Sequence, residues 1–314
     1  MKPSLPTPGR LLYLGYHLPT AWLGDLIRDG GPRQRRLTEA GRLAMIEAAR
    51  HLRPLPLPSA DAPRIHFLTG ARYWHQTAFL LVSLTPHLSC RPVIHDDGTL
   101  DGPTIDALFK FCPFADIRRH AATEACLEQL LPALRFPCLR ARRNEWVLFR
   151  KLLDVHVGES GWNLFLDSDQ LCLGHPRLIA DWLRSPSAPL HMTDVGDAYG
   201  CPPEILDGIA GRPVPRRLNT GILGLHSADI DWSRLEWLCG RLDAIGRPHY
   251  YHEQALTALL LADHPERLAT PLSDYVVLPS AAEGRTPRAV WHHYVAQSKR
   301  WYYQLRWREF ATKS

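Results

Sequence analysis

The sequence predicts an α/β protein with a Rossmann-like, mostly parallel central sheet flanked by helices and a helical extension at the N-terminus. Three observations predict it. From Arg64 onward, short apolar runs ending in Gly or Asp alternate with stretches of helical periodicity, the pattern of repeated strand–helix units. A proline-rich stretch, RPLPLPSADAP, separates that alternation from what precedes it. The 314 residues are 45% hydrophobic and 22% charged, which supports a buried core without disulfides and excludes a disordered or fibrous chain.

The elements follow in order. Residues 1–53 form the extension. Its opening, MKPSLPTPGR, places prolines where a signal peptide needs an apolar core. An apolar and aromatic run from Leu11 to Leu26 and a basic GGPRQRR (30–36) come next. A helix is predicted from Thr38, as N-cap, through EAGRLAMIEAARHL, where apolar residues recur at helical spacing. The prolines of residues 54–63 forbid regular structure and mark a linker. Residues 64–314 then read as one large unit. RIHFLTG (64–70) is a strand, Tyr73 to Leu84 a helix, and RPVIHDDG (91–98) a strand running into an acidic turn. A helix from Thr104 is ended by Pro113. Another is expected over Asn144 to Val157, with Trp146, Phe149, Leu153 and Val157 at 3-4-4 spacing. NLFLDSD (163–169) is a buried strand with a polar end, followed by a helix from His175 to Arg184. PLHMTDVGD (189–197), RLNTGILGLH (217–226) and SDYVVLP (273–279) are further strands. The aromatic tail KRWYYQLRW is expected to pack against the core.

Charge and cysteines narrow the function classes. There are 37 Lys+Arg against 32 Asp+Glu, a net charge of +5, without the basic stripe that a nucleic-acid binder carries. The small excess suits an anionic small-molecule ligand. Seven dispersed Cys include no C-x-x-C pair, as a reducing compartment allows, so a cytoplasmic location is expected. No apolar run reaches 18 residues, so none is expected to span a bilayer. Peripheral contact with a membrane's cytoplasmic face through Leu11–Arg36 is a further expectation.

Ligands of open α/β sheets bind beyond the carboxyl ends of the strands. Those ends read Thr69-Gly70, Asp96-Asp97-Gly98, Asp167-Ser168-Asp169 and Asp194. An acidic set at this edge of a basic protein calls for a metal. In extended backbone, Asp167 and Asp169 project to the same side and repel unless a cation sits beside them. Oxygen ligands this hard favour Mn²⁺ or Mg²⁺ shared with substrate phosphates. Asp-rich turns are common, so the pair gains its weight from the buried NLFL directly before it. Asp96 and Asp97 can hold a nucleoside or cap a turn.

FLDSDQ, LNTGILGLH (218–226), HEQALTALL (252–260) and HHYVAQSKRW (292–301) stand in this order along the chain. Together they resemble the nucleotide-sugar glycosyltransferases of the GT-A fold. Family 8 is most similar, the group of glycogenin and the bacterial lipooligosaccharide galactosyltransferases. The resemblance spans about 64–301 and implies that 64–314 is a GT-A catalytic domain. It implies Mn²⁺ (or Mg²⁺) held by Asp167, Asp169 and His293, with Asp167 also near the ribose. It further implies that Lys299 meets the donor β-phosphate and that Asn219 and Gly221 line the sugar site. Gln254, preceded by Glu253 where the family has Asp, would lie beneath the donor sugar. Arg150, seventeen residues before Asp167, would contact the donor. Thr69 is a donor-binding candidate by its place at the first strand's carboxyl end. Asp194 stands where the family meets its acceptor. Ala296 and Arg300 replace the Gly and Pro of the last motif.

The function expected is therefore metal-dependent transfer of a sugar, with retention, from a nucleoside diphosphate sugar, UDP-sugar foremost. The acceptor is a hydroxyl of a glycan, a lipid-linked sugar or a small molecule. No carboxylate nucleophile stands out, which favours departure and attack on one face of the sugar. Two other readings fit parts of the sequence. A sugar-1-phosphate nucleotidyltransferase would want a Gly-rich basic loop after the first strand, where TGARYW has one Gly and one Arg. A non-catalytic membrane-associated scaffold would use the N-terminal zone and the aromatic tail.

Overall fold

A computed structural model of the chain describes residues 30–246 and 249–311. Its centre is a seven-stranded sheet of order β3-β2-β1-β4-β7-β6-β8. The strands are β1 (Arg64–Thr69), β2 (Arg91–Asp96), β3 (Asp116–Arg118), β4 (Trp162–Leu166), β6 (Leu190–Thr193), β7 (Leu218–His226) and β8 (Leu268–Ala269). β1 pairs in parallel with β2 and β4, β2 with β3, and β6 with β8. β7 is the one reversed strand, antiparallel to both β4 and β6. The reversal matters for function, because the first residues of β7 start at the edge where β1, β2, β4 and β6 end. A small sheet lies beside that edge: β5 (Gln170–Cys172) pairs antiparallel with β10 (Trp291–His293), which pairs in parallel with β9 (Tyr275–Val277).

Among the described residues, nine helices of eight or more residues flank the sheets: α1 (Pro32–Ala49), α2 (Trp74–Leu84), α3 (Gly102–Phe111), α4 (His120–Leu130), α5 (Pro137–Glu145), α6 (Arg177–Arg184), α7 (Pro203–Ala210), α8 (Trp232–Asp243) and α9 (His252–Leu261). Shorter helical turns follow. On β4, Leu164 and Leu166 join one apolar cluster while Phe165 joins another. That alternation is what a strand covered on both faces requires. The first cluster holds α1, α2 and the C-terminal tail through Met45, Phe79, Tyr302 and Trp307. The second gathers Leu127, Leu139, Leu238 and Leu256 from helices on the opposite face.

The expected elements occur with three differences. α1 begins at Pro32, not Thr38. A proline in the first turn has φ preset and no N–H to leave unsatisfied. Thr38 lies inside the helix, its hydroxyl bonded back to the Gln34 carbonyl at 2.8 Å. The helix expected over 144–157 is broken at Trp146 (φ −125°, ψ 112°), where α5 ends and a tighter 3-10 turn, Val147–Phe149, leads into a short α-helical turn, Arg150–Leu153. Helical phase survives the break, so Phe149, Leu153 and Val157 are buried. Strands β3, β5, β8 and β10 and helices α4, α5, α7 and α8 arise from segments for which the sequence predicts no element.

The aromatic tail is core. Tyr302, Tyr303 and Trp307 are buried around a π-helical turn, Tyr302–Arg306. α1 crosses this turn so closely that the Tyr303 carbonyl fills the space of a Cβ on Gly41. Gln304 Nε2 also donates to Thr38 Oγ1 at 2.9 Å. All seven cysteines are free thiols. Among the described residues no helix is long and apolar enough to cross a membrane. The run Leu11–Leu26 lies outside the described residues.

Candidate active site

The site is built where β4 stops. Asp167 N donates to the Gly221 carbonyl at 2.8 Å, which pins the first carboxylate to the reversed β7. Three residues on, at Gln170, the chain enters β5, whose register with β10 sets His293 opposite Gln170. Tyr294 N donates to the Asp169 carbonyl at 2.8 Å. This crossing of β5 and β10 brings His293 Nε2 to 3.1 Å from Asp169 Oδ1 and 3.6 Å from Asp167 Oδ2. One ligand atom from each of the three residues lies within 4.8 Å of the others. Gln170 braces the arrangement, donating to the Gly221 carbonyl (2.6 Å) and accepting from Trp291 Nε1 (2.7 Å).

Two lysines meet the carboxylates, one on each. Lys151 Nζ lies 2.7 Å from Asp167 Oδ2, and Lys299 Nζ lies 3.2 Å from Asp169 Oδ2. Burial alone would raise the Asp169 pKa, but Lys299, His293 and Lys151 together hold it well below the usual carboxylate range. Burial would likewise lower Lys151, yet the nearby Asp167 and Glu253 more than offset this and keep its ammonium charged. Two carboxylates and an imidazole nitrogen converging this closely fit a divalent cation of the Mn²⁺ or Mg²⁺ kind. The lysines add fixed charge for a phosphate.

The start of β7 supplies a second wall. Asn219 Nδ2 donates to Asp194 Oδ2 (2.7 Å), and Asn219 Oδ1 accepts from Gly221 N (2.8 Å). Thr220 Oγ1 donates to Glu253 Oε2 at 2.9 Å. Gln254 Nε2 donates to the Ala198 carbonyl at 3.0 Å. Burial pushes the Glu253 carboxyl up to about 7, against the pull of Lys151 and the Thr220 hydroxyl. Asp167, Asp169, Asp194, Asn219, Glu253, Gln254, His293 and Lys299 all line one cleft of about 630 Å³.

The structure sets the remaining expected residues elsewhere. Gly221 lies under the His293 ring rather than along the cleft. Thr69, Asp96, Asp97 and Arg150 gather at the ends of β1 and β2. Asp96 Oδ1 accepts from Gly98 N (2.8 Å) and Leu100 N (3.1 Å), while Asp97 Oδ1 accepts from Thr99 N (3.0 Å). Arg150 donates to the Asp97 carbonyl. None of the four lines the cleft. Sequence reasoning missed Lys151, although it stands beside Arg150 in the apolar run LFRKLLD, where a buried amine must find a carboxylate. It also missed Tyr250 and Tyr251 at the cleft. Leu278 and Ala296, which line it at φ 57° and 44°, carry no sequence signal for that conformation.

Neither a protein-family model nor a curated protein sequence matches this chain. Solved structures similar to it include glycosyltransferases. Mouse xyloside xylosyltransferase 1, in its apo form, is 11% identical with a TM-score of 0.49, over 76% of this chain and 98% of that one. The galactosyltransferase LgtC, solved with donor and acceptor sugar analogs, is 11% identical with a TM-score of 0.48, over 80% of this chain and 95% of that one. The glycosyltransferase GlyE of Streptococcus pneumoniae TIGR4 is 11% identical with a TM-score of 0.45, over 80% and 62% respectively.

Proposed function

We propose that the protein is a metal-dependent glycosyltransferase that moves a sugar, with retention, from a uridine diphosphate sugar to an acceptor hydroxyl. The observation that carries this reading is the convergence of Asp167, Asp169 and His293 between Lys151 and Lys299 in one cleft. Such a site is made for a diphosphate: hard anionic ligands for a cation, with ammonium groups on either side for phosphate oxygens. A bound Mn²⁺ or Mg²⁺ would act as Lewis acid on the departing diphosphate.

The chain's own residues do the rest. Lys299 is half-exposed (38%) beside Asp169, so it can leave that carboxylate for a phosphate as charge grows there. Asn219 and Asp194, bonded to each other, offer a fixed polar rim for sugar and acceptor hydroxyls. Gln254 Nε2 is anchored on the Ala198 carbonyl, which leaves the amide oxygen to face a developing positive charge on the sugar. Glu253 is a poor nucleophile, because its oxygens are held by Thr220 and Thr257 hydroxyls (2.9 and 3.3 Å) and its carboxyl titrates near neutrality. That supports departure and attack on one face over a covalent intermediate.

The test is hydrolysis and transfer from a panel of UDP-, GDP- and TDP-sugars with and without Mn²⁺. Activity that needs Mn²⁺ and is abolished in Asp169→Ala supports the reading. Wild-type protein inert towards every UDP-sugar, or full activity in Asp169→Ala, overturns it.

A further inference from the structure

A second groove opens where α1 meets the segment after β10. It has Arg35 and Thr38 of α1 on one side and Gln297 and Arg300 on the other. It meets the cleft at Ala296 and Lys299, which line both. The groove holds about 270 Å³, room for a phosphate- or carboxylate-bearing group and too little for a nucleotide sugar. Among the described residues its lining charge is positive, with Arg35, Lys299 and Arg300 against one acid, Glu39. Glu39 is bound through both oxygens by Arg42 (2.9 and 2.6 Å), so among the described residues no groove carboxylate is left for the exposed Arg35. A guanidinium recognises an anionic oxygen pair through its planar fork of donors. The support under Arg35 is rigid, since α1 is fixed by the Gly41–Tyr303 approach and by Gln304.

We propose that this groove binds an anionic substituent, phosphate or carboxylate, of the acceptor. The proposal rests on the glycosyl-transfer reading and adds the acceptor's chemical class. The donor diphosphate has its cations in the cleft, at Lys151, Lys299 and the Asp-Asp-His site. Arg35 lies outside that set, on a helix that the strand–helix core does not supply. The N-terminal extension thereby selects what the core glycosylates.

The experiment titrates inorganic phosphate, glucose 6-phosphate and glucuronate, with glucose as neutral control, into the full chain saturated with UDP and Mn²⁺. The anionic probes are expected to bind and glucose not to. Arg35→Ala should weaken the anionic probes about tenfold, a step of about 1.4 kcal/mol, and leave UDP affinity unchanged. Arg35→Lys should recover part of the loss. The tighter of the glucose 6-phosphate and glucuronate arms identifies phosphate or carboxylate as the source. Anionic probes that displace UDP, that fail to bind, or that bind wild type and Arg35→Ala alike overturn the proposal. Failure of UDP to bind would instead sink the glycosyl-transfer reading. In that event the same titrations without UDP still test the groove through their sensitivity to Arg35→Ala.

Discussion

The His293 ring occupies the space that a side chain on Gly221 would need: a Cβ there would lie 2.5 Å from Cε1 and 2.6 Å from Nδ1. The same Cβ would meet Gln170 Nε2 at 2.7 Å. Glycine at 221 is therefore a matter of close approach, and it couples β7 to the third candidate metal ligand. Gly221→Ala is expected to push the imidazole away from Asp167 and Asp169. Mn²⁺ affinity should fall at least about tenfold, the effect of disturbing a ligand's support, with about 1–3 kcal/mol of lost stability from overpacking. Calorimetric titration and urea unfolding read the two quantities. Unchanged Mn²⁺ affinity would remove His293 from the ligand set.

Lys151 and Arg150 are neighbours in sequence with different surroundings. Lys151 reaches Asp167 in the cleft, while Arg150 holds the Asp97 carbonyl outside it. Lys151→Ala should lower kcat/KM for the donor by about 10²-fold, as loss of one fixed charge at a reacting phosphate does. Arg150→Ala should cost less than about tenfold. Steady-state kinetics of both variants decide the matter, and the opposite order would return the donor contact to Arg150.

Ala296 sits at φ 44°, in the left-handed region, at the position of the resembling family's glycine. The loop keeps that conformation without the residue best suited to it. Ala296→Gly is expected to relieve strain, raising stability by up to about 1 kcal/mol after the added unfolded-chain entropy. Thermal unfolding measures it. A drop in midpoint would mean that the loop is not held there.

Several imidazoles are buried away from the site. Burial, the largest influence, pushes His66 well below its ordinary value and His75, His95 and His156 to about 3. His66 Nδ1 and His95 Nε2 lie 2.9 Å apart, so the pair shares one proton at most. In the unfolded chain these groups titrate near 6.5. The folded state excludes protons that the unfolded state takes up, so stability is full above pH 6.5 and lost as pH falls from there towards 3. Each imidazole contributes on the order of 1 kcal/mol per pH unit in that window. Urea midpoints between pH 7 and 5 should fall steeply, and His95→Gln should flatten the slope. A flat profile in wild type would show that the imidazoles gain water or a counter-charge.

The fold and the acidic pair at its edge were legible for the same reason. NLFL before DSD reads as a buried strand ending at a sheet's carboxyl edge, and there the structure sets Asp167 and Asp169. What the sequence hid depends on register and close approach between distant segments. β10 has three residues, too few for a period, yet its pairing with β5 places His293. The reversal of β7, which carries Asn219 and Thr220 to the same edge, has no local signal. Lys151 was screened by Arg150 because a helix expected over 144–157 breaks at Trp146. Asp96 and Asp97 could hold a nucleoside or cap a turn, and their side chains bond to Gly98, Thr99 and Leu100.

The central claim is that Asp167, Asp169 and His293 hold a divalent cation that a nucleoside diphosphate shares. Calorimetric titration of UDP into wild type and Asp169→Ala, each with Mn²⁺ and with chelator, tests it most directly. The expected result is UDP binding that needs Mn²⁺ in wild type and is at least about 10²-fold weaker in Asp169→Ala, from loss of one ionised ligand. UDP binding of equal strength with chelator, or in Asp169→Ala, would contradict the account.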